Sequence, residues 1–213
     1  QTWMIKMNKV VNIAIVGLGQ IGIYLYNELI NKKKDIENKT GKKIRIVAIS
    51  AKNRNKKRRF KINKKIFYSN PFKIFNDNKI DILFESIGLS DGISKKIVEV
   101  ALRNKTSVIT PNKALIAKHG DYLAKLAEKN NVNLEFEASV AGGIPILRTI
   151  KEGLATNKIN KVYGILNGTT NYILTEMENS NQTFDKVLLK AQKLGYAEPG
   201  NPKLDLNGFD AFA

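Results

Sequence analysis

Two groups of residues have the types and spacing that chemistry requires: three glycines near the amino end and three acids near the carboxyl end. Gly17, Gly19 and Gly22 in "VGLGQIG" follow the G-x-G-x-x-G spacing. In that spacing the first glycine allows a tight turn, the second lets the backbone approach a pyrophosphate, and the third packs a helix against a strand. The helix that follows would offer the amides of Gln20 and Ile21, and the positive end of its dipole, to a phosphate. The same spacing also serves as a plain structural turn, so its setting between a strand and a helix is what favours a dinucleotide site.

A dinucleotide site that prefers NAD usually carries an acid after its second strand, where it binds the ribose 2′-hydroxyl; a site for NADP offers cations instead. In "VAISAKNR" that place holds Ser50, Lys52 and Arg54 and no acid. Lys52 and Arg54 are therefore expected to neutralise a 2′-phosphate, which favours NADP while leaving NAD possible. The closing stretch, "LGYAEPGNPKLDLNGFDAFA", reverses the charge pattern of the chain: Glu198, Asp205 and Asp210 stand with a single lysine, Lys203. Carboxylates so concentrated in a basic protein suit a cationic group of a small-molecule substrate. They would be equally at home solubilising a surface loop.

The formal net charge of +17 raises a second class of function, nucleic-acid binding, with "KNRNKKRRFKINKK" from Lys52 to Lys65 as the contact surface. Elsewhere the lysines are scattered among Asn and Ile, which is a compositional bias rather than a binding face, and the run itself reads as a solvated loop. Phe60 and Phe67 are thin aromatic support for stacking on single strands. No nucleic-acid partner is expected. The chain has no cysteine, which removes thiolate nucleophiles, disulfides and cysteine metal sites. Its one histidine, His119, reads as a helix-end residue beside Gly120 rather than a zinc ligand. No run of about 18 apolar residues appears and the amino end lacks a secretory leader, so the expected compartment is the cytoplasm with no membrane partner.

The elements that must position these residues follow from periodicity. Val10–Val16 is a β-branched apolar run, and Ile21, Leu25, Leu29 and Ile30 recur near helical spacing after the glycines. A polar loop ending at Gly41 leads to a second strand over Ile44–Ser50. Further strands are expected in "DILFESIG" (81–88), "TSVIT" (106–110) and "VNLEFEASV" (132–140), with helices over 90–105, capped by Ser90, and over 112–130. Strands alternating with helices imply an α/β, Rossmann-type parallel sheet with helices on both faces. After residue 141 the pattern changes to a glycine turn and helix over 142–156, a strand in "KINKVYGILN", and helices in "GTTNYILTEMEN" and "TFDKVLLKAQKLG", the last with Thr183 as cap and Gly195 as terminator. We therefore expect a dinucleotide-binding domain over 1–141 and, over 142–213, the start of an α+β substrate and dimerisation domain. Gln1 is an unusual first residue and Met7 a sensible start, and the second unit reads as the opening of a larger domain.

Four stretches then resemble one family in order and spacing: "VITPNKALIAKHG" (108–120), "FEASVAGGIPILRTI" (136–150), "GILNGTTNYILTEM" (164–177) and the closing stretch (194–213). The chain resembles homoserine dehydrogenase from about Val11 to its end. The resemblance implies reduction of L-aspartate 4-semialdehyde to L-homoserine with NAD(P)H, on the route to threonine and methionine. It implies that Glu198, Asp205 and Thr169 bind substrate, that Lys113 of "TPNK" reaches the nicotinamide as a catalytic and cofactor-contacting residue, and that Asp210 belongs to the catalytic set. It also implies a monovalent cation such as sodium, held by the Glu137 side chain and the carbonyls of Val140, Gly142 and Ile144, and a homodimer. Taken alone, Lys113 reads as a solvated lysine and Glu137 as a buried glutamate accepting amides.

The closing stretch departs from the family pattern in two places. The family's proton-donating lysine falls at the position after Ala213, so these 213 residues are expected to bind cofactor better than they turn over substrate. The loop "EPGNPKLD" is one residue longer than usual, which loosens the alignment of Glu198 with Asp205. A phosphorylating semialdehyde dehydrogenase would need a cysteine nucleophile, which is absent from these residues. A non-catalytic cofactor-binding remnant remains the other alternative.

Overall fold

The structure is a computed structural model describing residues 9–197. Glu198, Asp205 and Asp210 lie outside the described residues. The chain divides into two compact units at Ile146/Leu147.

The first unit is built on six parallel strands: β1 (Val10–Val16), β2 (Lys43–Ser50), β3 (Phe67–Tyr68), β4 (Ile82–Glu85), β5 (Ser107–Ile109) and β6 (Leu134–Glu135). Their order across the sheet is β3-β2-β1-β4-β5-β6. Consecutive strands step outward from β1 in one direction and then, from β4, in the other, so a crevice opens between the carboxyl ends of β1 and β4. Period-2 alternation sends side chains to opposite faces. Ala14 and Val16 pack in one core with α4 (Ile93–Arg103) and α5 (Lys113–Lys129). Ile13 and Ile15 pack in another with α1 (Gln20–Asn31) and Ile36 of α2 (Lys33–Thr40). Ile15, Ile49 and Leu83 are fully buried, each stabilising the fold by about 1.5–3 kcal/mol.

The strands and helices expected from periodicity are found, with several corrections. The segment before Gly41 is helix α2, not a polar loop. Its sequence has no apolar stripe for periodicity to reveal; the turns are held by Lys33–Glu37 and Lys39–Asp35 ion pairs at i,i+4, and Gly41 ends the helix in the left-handed conformation at φ 65°. Ser90 does not cap α4: Gly92 occupies the cap, and the Ser90 hydroxyl instead donates to Asp91. The strand expected over 132–140 is only two residues long before the backbone turns into short 3₁₀ segments at Glu137–Ser139 and Ala141–Gly143. His119 sits inside α5, which continues through Gly120 to Lys129. The edge strand β3 is an addition to the expected set, too short for its pattern to register; Ser50 Oγ donates to the Tyr68 carbonyl at 2.7 Å across its pairing with β2.

Around the unit boundary a short helix α6 (Ile146–Arg148) runs into a π-helical turn at Thr149–Gly153, less regular than the helix expected over 142–156. The second unit contains α7 (Gly168–Ser180) and α8 (Phe184–Leu194), which enclose a small core of Ile173, Val187, Ala191 and Ala197. Thr183 precedes α8 without a side-chain capping bond, and Gly195 ends it at φ 81°. The strand expected in "KINKVYGILN" is absent. A strand needs a partner for its backbone groups, and the described residues of this unit form no other strand, leaving Val162, Tyr163, Ile165 and Leu166 exposed.

Candidate functional site

The turn between β1 and α1 shows why each glycine is needed. Gly17 has φ 96°, and a Cβ there would lie 2.5 Å from the Ser86 backbone carbonyl. Its N–H donates to the Ser50 carbonyl at 2.9 Å, and its own carbonyl accepts from Ser86 Oγ at 2.8 Å. The turn is thus fastened to β2 on one side and to the end of β4 on the other. A Cβ on Gly22 would lie 1.9 Å from the Gly17 carbonyl oxygen, so the first turn of α1 can close on the loop only with glycine there. A Cβ on Gly19 would meet nothing within 4 Å. Gly19 is the N-cap of α1 and makes no side-chain cap, and Gln20 and Ile21, whose amides are among those an α-helix leaves without intrahelical partners, are exposed. Backbone donors therefore border open space, the condition a phosphate site needs.

A cleft of about 1040 Å³ lies at the carboxyl ends of the central strands. Gly17 and Gly19 line it on one side, Lys52 and Arg54 on another, and Ile87 and Leu89 on a third. Among the described residues its lining includes no acid, so the charged side chains that an anion entering it meets are all cations. The structure thus gathers the glycine turn and both expected 2′-phosphate cations around one cavity. Arg54 also closes the basic loop, its Nη2 donating to the Lys64 carbonyl at 2.9 Å. Arg58, which the sequence does not single out, donates to the carbonyls of Asn53 at 2.7 Å and Lys56 at 3.1 Å and lines the same cleft. Part of the basic run is therefore folded onto its own backbone; in a run of identical charges nothing in the sequence distinguishes Arg58 from its neighbours.

Lys113 is exposed and opens α5, directly after the carboxyl end of β5. Its place is set by neighbours rather than by its own periodicity. Asn112 caps the helix, with Oδ1 accepting from the Leu115 N–H at 3.2 Å, while its Nδ2 donates to the Leu89 carbonyl at 2.8 Å. Behind this cap lies Glu85, the last residue of β4 and wholly buried. Thr110 Oγ1 donates to Glu85 Oε2 at 2.6 Å, Asn112 Nδ2 approaches the same oxygen at 3.4 Å, and the Ile87 N–H donates to Oε1 at 2.8 Å. The signal that could have found Glu85 is an acid within the apolar run "ILFES" of a parallel strand that must be covered on both faces.

On the outer side of this region Asp91 receives Lys118 Nζ at 2.7 Å and pairs with His119 Nε2 at 2.9 Å. The Lys118 bond, then that of His119, holds the Asp91 carboxyl well below the usual carboxylate range. His119 thus ties α5 to the loop before α4 and has no cluster of metal-ligating residues around it among those described.

Of the expected cation ligands, Glu137 and Gly142 lie in the two 3₁₀ segments near the end of the first unit, and Val140 and Ile144 are the residues that follow each segment. Ala141 and Gly142 both adopt positive φ, at 51° and 52°, which turns the chain sharply. The Glu137 carbonyl accepts from the Val140 N–H at 3.2 Å and the Ile144 carbonyl from the Ile146 N–H at 2.8 Å. One of the three carbonyls assigned to the ion, that of Ile144, is therefore already an acceptor. Carbonyl oxygens and a half-buried glutamate are hard donors of the kind such an ion takes. In the second unit, Thr169 Oγ1 donates to the Tyr196 carbonyl at 2.6 Å, and the Tyr172 and Tyr196 rings stack at 4.5 Å. Both contacts fasten the chain just before Glu198 to α7.

Known proteins give the same direction. A family model described as the NAD-binding domain of homoserine dehydrogenase matches residues 17–137, and a second, described as homoserine dehydrogenase, matches 145–213. The homoserine dehydrogenase of Neisseria gonorrhoeae is 40% identical over 203 residues, covering 95% of this chain and 46% of the relative; that of Bacillus subtilis is 37% identical with the same coverage. The chain thus spans about half the length of the curated relatives it matches. Among solved structures, a homoserine dehydrogenase from Thiobacillus denitrificans superposes with a TM-score of 0.77 at 37% identity, covering 95% of this chain and 46% of that one. A hyperthermophilic archaeal homoserine dehydrogenase in complex with NADPH superposes with a TM-score of 0.72 at 26% identity, covering 95% and 66%.

Proposed function

The chain belongs to the homoserine dehydrogenase family, and from that premise we propose that it is the cofactor-binding part, with the opening of the substrate part, of an NADP-preferring enzyme that reduces L-aspartate 4-semialdehyde to L-homoserine. The observation that carries this reading is the single cleft onto which the glycine turn, Lys52 and Arg54 all face, with no acid among its described lining residues. The division of labour we propose is a nucleotide-binding domain over 1–141 and a substrate domain beginning at 142.

The residues present fit a dinucleotide: Gly19 leaves room for close approach and itself lines the cleft. A bound reduced nicotinamide supplies the hydride. The roles proposed for this chain's own residues are electrostatic. Gly17 to Gly22 bind the pyrophosphate, and Lys52 with Arg54 faces the 2′-phosphate. As hydride reaches the aldehyde carbon, negative charge grows on the carbonyl oxygen, and the Lys113 ammonium stabilises it until a proton converts it to the alcohol. Glu198 and Asp205 accept hydrogen bonds from the substrate ammonium, with Thr169 and Asp210 lining the same pocket. A sodium-class cation at Glu137, Val140, Gly142 and Ile144, and a homodimeric assembly, complete the proposal. The biosynthetic setting and a cytoplasmic location rest on the family resemblance; among the described residues no helix is long and apolar enough to cross a membrane.

Steady-state kinetics of homoserine oxidation on the native protein provide the test. Glu198→Ala is expected to raise the KM for homoserine by about tenfold or more while leaving the KM for NADP within about twofold. Equal effects on both constants, or no homoserine-dependent reduction of NADP by the native protein, would overturn the assignment.

A further inference from the structure

Among the described residues Glu85 is the only acidic or basic side chain that is buried. Withdrawing a carboxylate from water costs several kcal/mol unless hydrogen bonds replace its hydration, and a well-packed apolar side chain usually serves stability as well or better. Its bonds run to two segments of the chain, the loop after β4 and the β5–α5 connection. Oε1 takes the Ile87 N–H, at the start of the loop whose residues Ile87 and Leu89 wall the cleft. Oε2 takes the Thr110 hydroxyl at the end of β5 and the Asn112 amide at the cap of α5. Thr110 passes the constraint on, since its Oγ1 also accepts the Asn112 N–H at 3.0 Å. Asn112 passes it to Leu89 on one side and to the first turn of α5 on the other.

We propose that Glu85 is a positioning residue: its buried carboxylate locks the cleft wall at Ile87–Leu89 and the α5 cap into one unit, and so fixes where Lys113 stands relative to a bound nicotinamide. The role of Lys113 rests on the function proposed above; the locking itself rests on the hydrogen bonds alone. Every group facing the carboxylate in these bonds is a donor: two N–H groups and a hydroxyl. A glutamine there can keep its oxygen on the Ile87 N–H only by turning its N–H₂ toward Thr110 Oγ1 and Asn112 Nδ2. The hydroxyl can still accept, but the Asn112 amide cannot, so Glu85→Gln sets two donors against each other at the α5 cap and weakens the lock with almost no change of volume. Thr110→Val removes the hydroxyl donor, and Thr110→Ser keeps it.

The experiment has a structural arm and a kinetic arm, both on the native protein. In hydrogen exchange, Glu85→Gln and Thr110→Val are expected to speed exchange of the amides from Lys113 to Ile116 by about tenfold or more, with those of Gly17 to Gly22 unchanged, while Thr110→Ser matches wild type. In kinetics the same two variants lower kcat by about tenfold or more and leave the Kd for NADPH within about threefold. A Glu85→Gln/Lys113→Ala double variant is no slower than Lys113→Ala, because a residue that acts through Lys113 has nothing left to act on. Should Glu85→Gln fail to fold, the Thr110 pair decides. Unchanged exchange in the first turn of α5, or additive losses in the double variant, would overturn the proposal. If the native protein oxidises no homoserine, the proposed function fails, and the exchange arm still judges the lock.

Discussion

At the scale of single residues, the chemistry divides into groups that touch ligand and groups that hold them in place. Lys52 belongs to the first on the proposed reading. Lys52→Ala is expected to weaken NADPH by about tenfold, or about 1.4 kcal/mol, with NADH within about twofold, as read by fluorescence titration. Equal weakening of both nucleotides would assign Lys52 to the general field of the basic loop instead. The glycines are legible because spacing alone carries their meaning: the φ of Gly17 and the 1.9 Å approach at Gly22 follow from the motif. The cationic side of the cleft is legible from the acid that is missing after β2, where Lys52 and Arg54 stand and line the cleft. Glu85 and Arg58 are not, because each acts through partners 20 or more residues away or through carbonyls of its own loop, and such partners are a property of the fold rather than of the pattern.

At the scale of elements, what periodicity can see is found. Strands β1, β2, β4 and β5 are short apolar runs because the sheet is covered on both faces, and helices α1, α4, α5, α7 and α8 carry apolar residues near a period of 3.6 because one face is buried; each pattern reveals its element. Helix α2 carries almost none, because it is a surface helix held by ion pairs and a terminal glycine, with Glu37 accepting the Ile44 N–H at 2.9 Å to join it to β2. Gly41→Ala is expected to place a Cβ in the left-handed region at a cost of about 1–2 kcal/mol, lowering the melting temperature by several degrees without altering NADPH affinity. An unchanged melting temperature would mean that α2 frays at no cost to the fold. The reverse error, a strand expected in "KINKVYGILN", has the complementary reason: the pattern is strand-like, but pairing partners decide whether a strand forms, and the described second unit supplies none.

At the scale of the whole molecule, the net charge of +17 and the absence of acids from the described cleft lining work in the same direction, drawing an anionic nucleotide toward the carboxyl edge of the sheet. The strand order places the crevice between β1 and β4, and the loops after β1, β2, β4 and β5 bring the glycine turn, the cations, the Glu85 lock and Lys113 to that one edge. The acids that would complete the substrate pocket, Glu198, Asp205 and Asp210, stand beyond the described residues. A crystal structure of the protein with NADPH bound would probe the cofactor site at its root. The pyrophosphate is expected over Gly17 to Gly22, within hydrogen-bonding distance of the amides that open α1, with the 2′-phosphate beside Lys52. A nucleotide bound away from that turn would refute the assignment.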